Sequence, residues 1–137
     1  MTDIRKFSVS PTARLHLRDS ADDLMYADEG QQLPIAVNMY GPGSKQFAKA
    51  QAAHQNRLVD KLKRKGKTGQ TADQKAEEVA EFLADCTASF ENLEYDSLTG
   101  DALSKAVYSD NSIGFIADQV NKFLGDWANF KPVSTAT

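Results

Sequence analysis

The feature that most constrains this chain is a change of hydrophobic period at Ser44. Before it, apolar residues recur at every second position. Phe7, Val9, Pro11, Ala13, Leu15 and Leu17 share one face, with Ser8, Ser10, Thr12, Arg14, His16 and Arg18 on the other. A period of two is that of a half-buried strand. Pro11 has no amide to donate, so it belongs at an edge, at a bulge or at the strand's true start. Residues 24–27 read as a second short strand, and Leu33, Ile35, Val37 and Met39 as a third. Asp- and Gly-rich turns at 19–23 and 28–31 separate them, and Gly41-Pro42-Gly43 ends the region.

After Ser44 the apolar spacing is three to four. Ser44 is placed to cap a helix carrying Phe47, Ala50, His54, Leu58 and Leu62 and ending near Gly66. Thr71-Ala72-Asp73-Gln74 fits a capping box, with a second stripe of Ala76, Val79, Leu83, Cys86, Phe90 and Leu93, flanked by Phe82. Thr99 or Asp101 can start a short third helix through Tyr108. Ile113, Ile116, Val120, Leu124 and Trp127 mark the last helix, with Phe115, Phe123 and Phe130 at its margins. The expected fold is α+β: a small N-terminal antiparallel sheet of about three strands in residues 1–43, then about four α-helices in 44–131. The polar tail at 132–137 is expected to be disordered. At 137 residues these regions belong to one compact domain.

Composition narrows the chemistry. A formal charge of -3 gives no global attraction to nucleic acid or acidic lipid. The basic cluster Arg57, Lys61, Lys63, Arg64, Lys65 and Lys67 is followed by Asp73, Glu77, Glu78, Glu81 and Asp85. On antiparallel helices such charges face one another, so a salt-bridged hairpin is preferred to a nucleic-acid patch. Gly66-Lys67-Thr68 is not a phosphate loop, because the required earlier glycine is Lys61 and a helix precedes it. Cys86 has no partner for a disulfide and sits in an apolar stripe. His16 is expected to be solvated on the polar strand face and His54 half-buried. Neither has the spacing of a metal pair. Glu91, Glu94, Asp96 and Asp101 read as a solvated charged loop. No nucleophile, base and orienting group come together in the sequence, so no enzyme, cofactor or metal is expected. Without an apolar run of signal or membrane-span length, the expectation is a soluble cytoplasmic protein.

The last helix is apolar over more than one stripe, which leaves Phe115, Phe123, Trp127 and Phe130 as candidates for contact with a client or a sister subunit. The segments Asn92-Leu93-Glu94-Tyr95-Asp96, Ala106-Val107-Tyr108-Ser109-Asp110, Gly114-Phe115-Ile116-Ala117-Asp118-Gln119-Val120 and Asp126-Trp127-Ala128-Asn129-Phe130 carry a resemblance. Over residues 79–130 the chain resembles the tail assembly chaperones of long-tailed bacteriophages and prophages. That resemblance implies a non-catalytic protein of the host bacterial cytoplasm that binds the tape measure protein, and tail tube subunits, during tail morphogenesis. It also fits a structural virion component, either a minor tail or a head–tail connector protein, and either kind can form a homo-oligomer.

Overall fold

A computed structural model of the chain describes residues 3–65 and 72–131. Strands β1 (Thr12–His16), β2 (Ala36–Tyr40) and β3 (Thr87–Glu91) form one antiparallel sheet in the spatial order β1-β2-β3. Among the described residues there are four α-helices: α1 (Lys45–Lys65), α2 (Ala72–Asp85), α3 (Gly100–Ser109) and α4 (Gly114–Leu124). Short 3-10 turns occupy Ile4–Phe7, Asn111–Ile113 and Trp127–Phe130. The class is α+β, as the two periods require. Gly66, the Thr71 capping box and the tail at 132–137 lie outside the described residues.

The sheet is not wholly N-terminal. Residues 24–27 supply only isolated bridges, Arg18 to Leu24 and Tyr26 to Pro34. The third strand is β3, inside the region expected to be helical. The chain leaves α2 at Cys86, whose N–H is shared between the carbonyls of Phe82 and Leu83 at 3.1 Å. The Cys86 carbonyl then accepts the Tyr40 N–H at 2.7 Å, so the ladder to β2 begins one residue after the helix ends. A bulge between Asn38 and Met39 leaves Ala88 without a partner in the register.

Local side-chain chemistry fixes the turns. Asp19 accepts the N–H groups of Ala21 and Asp23, and Asp28 those of Gln32 and Leu33. Both turns hold a residue at positive φ, Asp22 at 68° and Gln31 at 57°. Ser44 caps α1 as its position suggests: its hydroxyl accepts the Phe47 N–H at 3.0 Å and donates to the Gly41 carbonyl at 2.7 Å.

One core joins sheet and helices. Leu17, Val37 and Met39 come from the sheet region, Leu83 and Cys86 from the end of α2, Val107 and Tyr108 from α3, and Ile116, Val120 and Leu124 from α4. The α2 stripe is rotated from the one read in the sequence: Ala80, Leu83 and Ala84 are buried, while Val79 is 40% exposed and Ala76 faces outward. Tyr108 ties three elements together. Thr87 Oγ1 has one proton and donates it to the Leu83 carbonyl at 2.8 Å, so the Tyr108 hydroxyl donates to Thr87 at 2.7 Å. Gln119 of α4 exchanges two 2.8 Å hydrogen bonds with the backbone of Arg18, as a strand partner would. The sheet's other face is polar, where Arg14 pairs with Glu91 at 2.8 Å and Asn38 donates to Ser89 and Glu91 at 3.0 Å.

Candidate partner-binding site

The four aromatic candidates at the C-terminal end separate by burial. Helix α4 stops at Gly125, whose N–H reaches back to the carbonyls of Asn121 and Lys122 at 3.2 Å. Asp126 then accepts the Ala128 N–H at 2.9 Å and starts the 3-10 turn. That turn sends Phe130 inward. Phe130 is fully buried, its ring lies 5.2 Å from that of Phe123, and its carbonyl accepts the Ser10 N–H. It therefore ties the segment leading into β1 to the C-terminal 3-10 turn and presents no surface. Phe115 and Phe123 are half-buried against the core. Trp127 alone stands out, 57% exposed.

Trp127 sits on a confined support. A methyl group built on Gly43 would lie 2.6 Å from Val9 Cγ2 and 3.8 Å from Trp127 Cζ3, so indole, glycine and valine are neighbours. The chain preceding Val9 carries two more exposed apolar residues, Ile4 at 76% and Phe7 at 67%, on the first 3-10 turn. Phe7 is thus not on a strand's inner face. Its alternation with Val9 mimics a strand, although pairing begins only at Thr12.

The charged hairpin forms as the sequence suggests. Arg57 of α1 reaches Glu78 at 3.3 Å, Glu81 at 2.8 Å and Asp85 at 3.6 Å, and Lys61 also pairs with Glu78. The sequence gives no sign that Glu78 is special among its acidic neighbours, yet its residue exposure is only 3%. Burial by itself pushes its carboxyl up, but hydrogen bonds and charge from Lys61 and Arg57 together hold it below the ordinary range. His54 Nδ1 lies 3.7 Å from the same carboxylate, beyond hydrogen-bond reach, and is buried without a partner, as is Arg57 Nη2. The hairpin is a structural zipper in which, among the described side chains, Arg57 and Lys61 are spent on its own acids.

Several of the remaining reactive groups have partners or burial within the fold. Cys86 is fully buried, and desolvation, with the charge of Asp85, pushes its thiol up to about 12. His16 is not simply solvated: its Nε2 meets the Met25 carbonyl at 2.8 Å and its ring packs edge-on against Tyr26. Of the loop carboxylates, Glu91 is held by Arg14 and Asp101 by Lys105 at 3.1 Å. Among the described residues no three His, Cys, Asp or Glu side chains gather as a metal cage would, and no helix is long and apolar enough to cross a membrane.

Compared with known proteins, the chain matches no family model, no curated protein and no solved structure.

Proposed function

We propose that this chain is a non-catalytic binding protein of bacteriophage tail morphogenesis, a tail assembly chaperone. It keeps the tape measure protein soluble in the host cytoplasm and engages tail tube subunits as the tail grows. The observation that carries this reading is Trp127, a tryptophan 57% exposed on a turn fixed from within by Phe130 and Asp126. A large aromatic held rigidly at the surface loses little entropy when a partner covers it, and such residues dominate interface energies. Ile4 and Phe7 add exposed apolar surface of the same kind. The resemblance over residues 79–130 supplies the identity of the client.

Co-expression with a phage tape measure protein, followed by size-exclusion chromatography with light scattering, tests the reading. The client is expected to be soluble and to co-elute with the wild-type chain. Trp127→Ala should abolish co-elution with an unchanged circular dichroism spectrum. A client that stays insoluble beside the wild-type protein would sink the proposal. The free edge of β3 favours a second reading, a structural virion component that assembles through its sheet. A stoichiometric amount of the chain in purified particles, measured by mass spectrometry, would select that reading.

A further inference from the structure

The outer edge of β3 borders a groove that the Trp127 reading does not use. The phase of the β-ladder sets which backbone groups are free there. Gly41 N–H donates to the Pro11 carbonyl and Leu17 N–H to the Ile35 carbonyl, so alternate residues of β2, Val37 and Met39 among them, bond to β1. Asn38 and Ala36 are left to bond Ser89 and Glu91. Phe90, between those two, therefore points its N–H and C=O out of the sheet, and Ala88 lies in the bulge. Ala88 and Ser89 are small and exposed, so among the described residues nothing bulky screens this edge.

Beside the edge lies a hollow of about 600 Å³, lined by Phe90, Leu93, Leu98 and Leu103, with Glu94 and Asp101 also in its wall. A second hollow of about 570 Å³ shares Leu93 and Glu94 and continues to Leu33 and Ile35. Leu33 is 48% exposed and Leu98 37%. Neither lining contains a lysine or arginine. The site thus offers unpaired strand hydrogen bonds, an apolar floor and acidic walls.

We infer that this edge and groove take an extended segment of a partner protein in which apolar residues alternate with lysine or arginine. The segment adds to the sheet as a fourth strand. Its backbone pairs with Phe90, and every second side chain enters the hollow over Leu93 and Leu98. Basic side chains meet Glu94 and Asp101. Asp101 remains available because its bond to Lys105 is a surface pair of little strength. Charge also disfavours a two-fold pairing of β3 edges between copies, which would set the acidic walls against their own counterparts. The inference is independent of Trp127, which belongs to a different part of the surface.

The probe is a short fluorescein-labelled peptide alternating valine and lysine, titrated into the full chain and followed by anisotropy and amide exchange. Binding is expected, with exchange at Phe90 and Ala88 slowed about tenfold or more. A matched valine–glutamate peptide should leave both signals unchanged. Glu94→Lys with Asp101→Lys should weaken the lysine peptide about fivefold or more at low salt. The exchange map of the wild-type chain reads the site even if that variant folds poorly. No anisotropy change with about millimolar peptide overturns the assignment. So does binding that leaves Phe90 and Ala88 unprotected, or equal binding of the glutamate peptide. Protection that appears without peptide and grows with protein concentration would give the edge to a second copy and overturn it as well.

Discussion

Replacing Gly41 with alanine tests how the C-terminal turn is locked. The added methyl would lie 2.2 Å from Phe130 Cδ2, 2.5 Å from Cε2 and 2.7 Å from Cγ. Ordinary carbon contacts are about 3.5–4.0 Å, so the ring must retreat by more than ~1 Å. It has nowhere to go, since Phe130 is fully buried, and the Gly41 backbone cannot yield. The Gly41 N–H is held by the Pro11 carbonyl at 2.8 Å, and its carbonyl takes both the N–H and the hydroxyl of Ser44. Gly41 has no left-handed φ, so the cost is steric rather than conformational. Overpacking alone costs about 1–3 kcal/mol. Full expulsion of the ring would forfeit about 150–200 Å² of buried apolar surface, or ~4–5 kcal/mol. A loss of about 2–4 kcal/mol and a melting point lower by roughly 10 °C are expected in urea and thermal unfolding. Phe130→Ala alone should cost about 3–5 kcal/mol. The double variant should be more stable than the sum of the single changes by ~1–3 kcal/mol, because the new methyl enters the vacated space. A Gly41→Ala protein within about 0.5 kcal/mol of wild type, or strict additivity in the double variant, would refute the argument.

Three further outcomes are expected. Glu78→Gln should destabilise the chain by about 2–3 kcal/mol at pH 7, since Lys61 and Arg57 lose their buried counter-charge while keeping some solvent. Because the Glu78 carboxyl is held below its ordinary value of 4.5, its stabilisation is complete above that value and is lost as pH falls through the depressed one. Urea midpoints measured between neutral and acid pH should therefore fall less steeply for the variant, and parallel curves would contradict the assignment. Cys86 should resist a thiol reagent at pH 8 until urea unfolds the chain, reacting at least ~100-fold more slowly in the native state; prompt native labelling would place the thiol nearer the surface than its burial allows. Ser44→Ala should cost about 1–2 kcal/mol by removing the α1 cap and the tie to Gly41, and unchanged stability would show that the cap is dispensable.

Much of the fold is legible in the residues, and the failures have physical causes. Local chemistry shows through: the Asp19 and Asp28 turns, the Ser44 cap and the Ile116, Val120, Leu124 stripe all stand where their side chains suggest. Elements defined by distant partners do not. Cys86, Phe90 and Leu93 obey a helical spacing, yet Phe90 packs against Tyr108 from a strand, because β2, some fifty residues earlier, offers Thr87–Glu91 its backbone. The converse error is residues 24–27, whose strand-like pattern finds only isolated bridges. At the candidate site, Gly125-Asp126 was the readable signal that the last helix stops before Trp127, and with that stop Phe130 turns inward while Trp127 stays out. Nothing local marks Glu78 among Glu77 and Glu81; only the approach of α1 makes it the buried carboxylate.

The position of β3 in the chain also bears on how the molecule is made. β2 is the central strand of the sheet, but its second neighbour follows both helices of the hairpin. A ribosome that has released residues as far as Asp85 has produced a segment whose middle strand is still open on one side. Closing that side requires contacts of high sequence separation, which form slowly. During that interval a nascent chain is open to sticky strand partners, including other nascent copies of itself. The α1–α2 zipper, which needs only neighbouring sequence, can form during the wait and bring Thr87–Glu91 back toward β2 as it emerges.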